Sequence, residues 1–72
     1  MEPEDLDNRF AYHAPSPEQA TAYLGIRGQA RQLAATIEDF ALDGREKSLA
    51  ITALEEAVMW ANAAIARHGL RP

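Results

Sequence analysis

Four residues, Asp43-Gly44-Arg45-Glu46, constrain this chain more than any others. Long segments with helical periodicity lie on either side, and so short a connection forces the second helix back antiparallel to the first. Gly44 suits the left-handed conformation that ends a helix, and Asp43 with Glu46 has the spacing of a capping box for the next. The predicted fold is all-α: an antiparallel two-helix hairpin with a short N-terminal helical arm. The 72 residues form one domain, with the arm over 1–15, the first long helix over 17–42 and the second over 45–68.

The first long helix opens on Ser16-Pro17-Glu18-Gln19, where Ser16 is the N-cap, Pro17 fits the first helical position and Gln19 closes a capping box. Along it Ile26, Ala30, Leu33, Ile37 and Phe40 recur at spacings of 4, 3, 4 and 3, which predicts one apolar seam. The second helix should stop at Gly69, with Arg67 and His68 in its last turn, where positive charge complements the helix dipole. In the arm, a short helical turn is expected near Pro3–Asn8, followed by an extended segment to the Pro15/Pro17 pair.

The second helix carries more apolar surface than one partner needs. Ile51, Leu54, Val58, Ala61 and Ile65 form a seam, and Ala50, Ala53, Ala57, Trp60 and Ala64 form a neighbouring stripe. Alanine is a good helix former in its own right. A wide apolar face must nonetheless be buried, and a hairpin offers only one internal partner. A chain this short usually needs disulfides, a metal or self-association. It has no cysteine, and its two histidines, His13 and His68, lie in no ligand spacing. Assembly into a helical homo-oligomer with Trp60 as an anchor is therefore expected.

Charge narrows the partners. The net charge is −4, and Glu2, Glu4, Asp5 and Asp7 concentrate acid at the N-terminus. From Arg9 onward seven acids balance seven bases, which leaves room for a local cationic pocket and none for a broad basic face. DNA and long RNA are not expected partners. The acidic start is unlike a basic export signal, and no apolar run long enough to span a bilayer is expected, so a cytoplasmic protein with no membrane partner is expected.

No catalytic constellation stands out. Glu55 and Glu56 are adjacent, so a helix points them roughly 100° apart and they cannot work as paired carboxylates. There is no phosphate-binding loop or dinucleotide fingerprint. The chain is read as a non-enzyme with no cofactor and no metal.

Two features exceed what a plain hairpin requires. Gly25-Ile26-Arg27-Gly28 places two glycines inside the first helix, each costing about 1 kcal/mol relative to alanine. They permit close approach of another helix or of a ligand, with Arg27 between them. Arg9-Phe10-Ala11-Tyr12-His13-Ala14-Pro15 combines rings that can stack on nucleobases with an arginine that can grip phosphate. A packed arm with a polar tip has the same composition, so the residues lead only to a binder of something anionic and aromatic.

Arg9-Phe10-x-Tyr12-His13-x-Pro15, then Tyr23-x-x-Ile26-Arg27, then Arg45-Glu46-x-Ser48-Leu49-Ala50-x-Thr52-x-Leu54-Glu55-Glu56-Ala57-x-x-Trp60-Ala61-Asn62-Ala63-x-Ile65-Ala66-Arg67 resembles the phage anti-CBASS cyclic-oligonucleotide sponges. These share a hairpin domain with the phage anti-Thoeris sponges. The resemblance implies a helical homohexamer without enzymatic activity, which removes the messenger made by a bacterial defence cyclase. It implies cyclic dinucleotides such as cyclic GMP-AMP at subunit boundaries, with Tyr12 stacking on the bases, Arg27 reaching the phosphates and His13 beside them. It also implies a second class of pocket for cyclic trinucleotides, with Arg67 as phosphate ligand and Gln29 as a further contact. Some relatives are expected to carry lysine at the Arg27 position, and arginine can add bidentate phosphate contact.

Two other readings remain. A structural or protein-binding helical oligomer would bind no nucleotide and would bury Tyr12 against its own chain. A related sponge for cyclic ADP-ribose-type signals would need an insertion that this short chain lacks.

Overall fold

The computed structural model describes all 72 residues, Met1–Pro72, as three helices. They are α1 (Pro3–Phe10), α2 (Pro17–Phe40) and α3 (Arg45–His68). The helices α2 and α3 form the hairpin, and α1 is the arm.

Helix α2 begins as its sequence dictates. Ser16 Oγ accepts from the Gln19 backbone N–H at 3.1 Å, and Gln19 Oε1 accepts from the Ser16 N–H at 3.0 Å, with Pro17 in the first turn. This reciprocal cap satisfies two donors that a helix start would leave free. The arm helix runs to Phe10, one half-turn beyond the expected Asn8, before Ala11 turns extended.

The connection departs from expectation. Helix α2 ends at Phe40 rather than Leu42, with the Ala41 N–H bonded to the Ile37 carbonyl at 2.9 Å. Gly44 does not adopt a left-handed conformation: at φ 164° and ψ 178° it is extended, and it serves as the N-cap of α3. A glycine cap brings no side-chain acceptor, so the Asp43–Glu46 capping box does not form. The Asp43 carboxylate is taken instead by Lys47 Nζ at 2.9 Å. Helix α3 spans the expected residues and stops at Gly69, whose φ of 93° lies in the left-handed region. The Gly69 N–H closes on the Ile65 carbonyl at 2.8 Å.

The hairpin seam is half-buried on both helices. From α3 come Ile51, Leu54, Val58, Ala61 and Ile65, as the periodicity predicts; from α2 come Tyr23, Ile26, Ala30, Ala34 and Ile37. Leu33 and Phe40, expected in that seam, lie off it and are 50% and 87% exposed. The row continues from Ala30 by a four-residue step to Ala34, and the adjacent Leu33 is turned about 100° away.

No residue of the single chain is fully buried. Its accessible surface is 5970 Å², against about 4,400 Å² expected for a compact monomer of this mass. Its radius of gyration is 15.3 Å, against about 11 Å for 72 residues packed as one globule. The stripe of Ala50, Ala53, Ala57, Trp60 and Ala64 is exposed throughout, Trp60 by 63%.

By length and mean hydropathy, α3 is long and apolar enough to cross a membrane, which corrects the expectation that no such run exists. Glu55 and Glu56 occupy its middle. An ionised carboxylate at a bilayer centre costs about 2.5–3.5 kcal/mol. The same apolar length suits a helix with neighbours on several sides.

Candidate functional site

The open end of the hairpin gathers the arm, the start of α2 and the end of α3. A helix leaves its last carbonyls without backbone partners. At the end of α3 two side chains reach in: Asn8 Nδ2 donates to the Arg67 carbonyl at 3.3 Å, and Gln19 Nε2 donates at 3.4 Å to the Ile65 carbonyl that the Gly69 N–H also meets. The Asn8 carbonyl in turn accepts from His13 Nε2 at 2.8 Å, which fixes the tautomer with the proton on Nε2.

These bonds hold the arm while leaving its rings free. Phe10 is 84% exposed and Tyr12 is 88% exposed. The Tyr12 ring is therefore not packed against its own chain, contrary to what the structural-oligomer reading requires. His13 and Arg67 are half-buried at the same end.

Arg27 lies further along α2. It lines an open groove of about 300 Å³ between α2 and α3, together with Arg31, Leu54, Glu55, Val58 and Met59. That volume is at the low end of the range for a ligand pocket. Tyr12, His13, Gln29 and Arg67 do not border the groove. Gln29 is exposed on α2, two residues beyond Arg27. Within one chain, Tyr12 and His13 are thus brought together with Arg67 at the open end, whereas Arg27 and Gln29 stand apart.

The cations divide sharply. Lys47 makes both ion pairs of the chain, at 3.0 Å to Glu38 and 2.9 Å to Asp43. Its hydrogen bonds to the Asp43 and then the Glu38 carboxylate raise its pKa above the ordinary 10.5. None of the six arginines is ion-paired. Arg27 and Arg31 are one turn apart on the groove edge, each with its guanidinium available to an anion.

Sequence reading missed Arg31, although its i+4 spacing from Arg27 was visible. It also passed over Asn8 and Gln19 as partners of the α3 terminus, for which no local pattern gave a signal. A side chain at Gly25 or Gly28 would meet nothing within 4 Å in the single chain. Packing inside the hairpin therefore does not explain these glycines.

The family model described as Acb2/Tad1, hairpin domain, matches residues 2–66, which takes in the arm, α2 and most of α3. No curated protein and no solved structure matches the chain.

Proposed function

The chain belongs to the Acb2/Tad1 hairpin-domain family of anti-CBASS and anti-Thoeris sponges, and we propose that it sequesters cyclic oligonucleotide messengers without degrading them. In a phage-infected cell, that removal would keep a CBASS effector from being switched on. The observation that carries this reading beyond family membership is that no arginine is ion-paired while the Tyr12 ring stands exposed.

The cyclic dinucleotide site is built from Tyr12, His13 and Arg27, with Tyr12 stacking on a base, Arg27 reaching phosphate and His13 beside them. Arg27 is remote from Tyr12 along one chain, so the site is completed where two copies of a homo-oligomer meet, a hexamer by family resemblance. Cyclic trinucleotides are held by Arg67 and Gln29 in a separate pocket. Stacking contributes about 1–3 kcal/mol per base, and each charge-assisted hydrogen bond roughly 1.5–3 kcal/mol. Two copies of each contact bring nanomolar affinity, about −12 kcal/mol, within reach.

The test is calorimetric titration with cyclic GMP-AMP and with a cyclic trinucleotide, followed by heating and chromatography of the released ligand. Tight binding with intact ligand recovered supports sequestration. Recovery of linear or cleaved product would overturn it, as would no binding of either class.

A further inference from the structure

We infer that Asn8 and His13 form a latch that positions Tyr12 for its ligand, with His13 acting through the arm backbone rather than on the ligand. The inference rests on the proposed binding function. Asn8 is engaged on both sides: its Nδ2 donates to the Arg67 carbonyl at 3.3 Å and its own carbonyl accepts from His13 Nε2 at 2.8 Å. The first bond fastens the arm to the end of α3. The second ties His13 back across Arg9, Phe10, Ala11 and Tyr12, so these residues form a loop closed at both ends.

Tyr12 is the last residue of that loop before the pinned His13. Its ring makes no hydrogen bond and stands 88% exposed, in a segment whose backbone from Ala11 to Pro15 is neither helix nor strand. Without the latch, such a segment would sample many backbone states, and ligand binding would have to select one of them. With it, the ring is presented before ligand arrives.

The test compares His13→Phe, which keeps a ring and loses the donor, with His13→Gln, which offers an amide donor at similar reach, and Asn8→Asp, which loses the donor to Arg67. Cyclic GMP-AMP affinity is read by calorimetry, backbone protection of the arm-helix amides of residues 5–10 by hydrogen exchange, and assembly mass by light scattering. His13→Phe and Asn8→Asp should bind about tenfold more weakly, equivalent to about 1.4 kcal/mol, with lost protection over 5–10. His13→Gln should regain most of both. If His13→Gln binds as weakly as His13→Phe while regaining protection, the imidazole touches the ligand itself and the inference fails. Unchanged affinity and protection in all three variants would also overturn it. If the unaltered protein binds no cyclic GMP-AMP, the binding function fails there, and the protection data alone decide the latch: loss in His13→Phe with recovery in His13→Gln supports it, and retained protection rejects it.

Discussion

Lys47 Nζ stands 3.0 Å from the Glu38 carboxylate and donates to the Glu38 carbonyl at 3.3 Å. One side chain thereby meets a charge and one of the carbonyls left over at the end of α2, and ties the turn between the helices. Its pKa is raised, so the stabilisation is fully present below the ordinary value of 10.5 and is lost as pH rises through the folded value. Lys47→Met should melt at a lower temperature than the unaltered protein at pH 7. That difference should vanish at alkaline pH above the raised pKa; a gap persisting there would assign the effect to packing of the lysine stem. Glu38 and Asp43 are largely exposed, so high salt should narrow the gap at neutral pH.

Tyr12→Ala should weaken cyclic dinucleotide binding by about 1–3 kcal/mol per stacked base, and Tyr12→Phe should retain most of it, because stacking needs the ring and not the hydroxyl. Arg27→Ala should lose a further charge-assisted contact, with Arg27→Lys intermediate. Arg67→Ala should weaken trinucleotide binding and spare dinucleotide binding. Calorimetry on the same panel of variants checks all of these, and equal losses for both ligand classes would merge the two proposed sites.

The two kinds of glycine should respond oppositely to alanine. Gly69 sits at φ 93° and ψ −177°, a region reserved for glycine, so Gly69→Ala should cost about 1–3 kcal/mol in denaturant unfolding. At Gly25 and Gly28 the helix alone would gain about 1 kcal/mol from alanine. If another copy or a ligand approaches there, Gly28→Ala should instead reduce assembly mass or dinucleotide affinity. A stabilised variant with both properties intact would show that the glycines are incidental.

Trp60 is 63% exposed, and its indole Nε1 reaches the Glu56 carboxylate at 3.5 Å, a long contact. An exposed tryptophan beside an alanine stripe is the kind of anchor that dominates an interface. Trp60→Ala should weaken self-association by about 2–4 kcal/mol, visible in sedimentation over a dilution series. Unaltered sedimentation would remove Trp60 from the interface.

Asn62 Oδ1 is enclosed without a hydrogen-bond partner. A buried acceptor left unpaired costs about 1–3 kcal/mol, so Asn62→Leu should be neutral or stabilising in thermal melting. A clear loss of stability would show that the assembled protein supplies the missing donor.

The hairpin was legible because its signals are local and redundant. Ser16, Pro17 and Gln19 specify one helix start, and Gly69 stops α3 where the sequence indicated. The turn was misread at Gly44, since a glycine there serves equally to end one helix or to begin the next. Leu33 was misassigned because a fixed 4-3 repeat ignores the drift of a 3.6-residue helix, which hands the face to Ala34. The bonds from Asn8 and Gln19 to the end of α3 join residues 59 and 46 positions apart, and no pattern along the chain announces a contact at that range. The proposed ligand residues rest on motif resemblance, and one chain keeps Arg27 apart from Tyr12, so the proposed pocket requires more than one copy.

A chain with no fully buried residue has little stability of its own to draw on. If copies of itself provide the cover, folding acquires a molecularity: the melting temperature rises with the logarithm of protein concentration, and dilution alone promotes unfolding. Capacity to capture ligand would then grow faster than linearly with expression at low abundance, because scarce chains lack both a core and a finished pocket. A damaged copy would also be felt beyond itself, as a missing wall in each neighbour it should have touched.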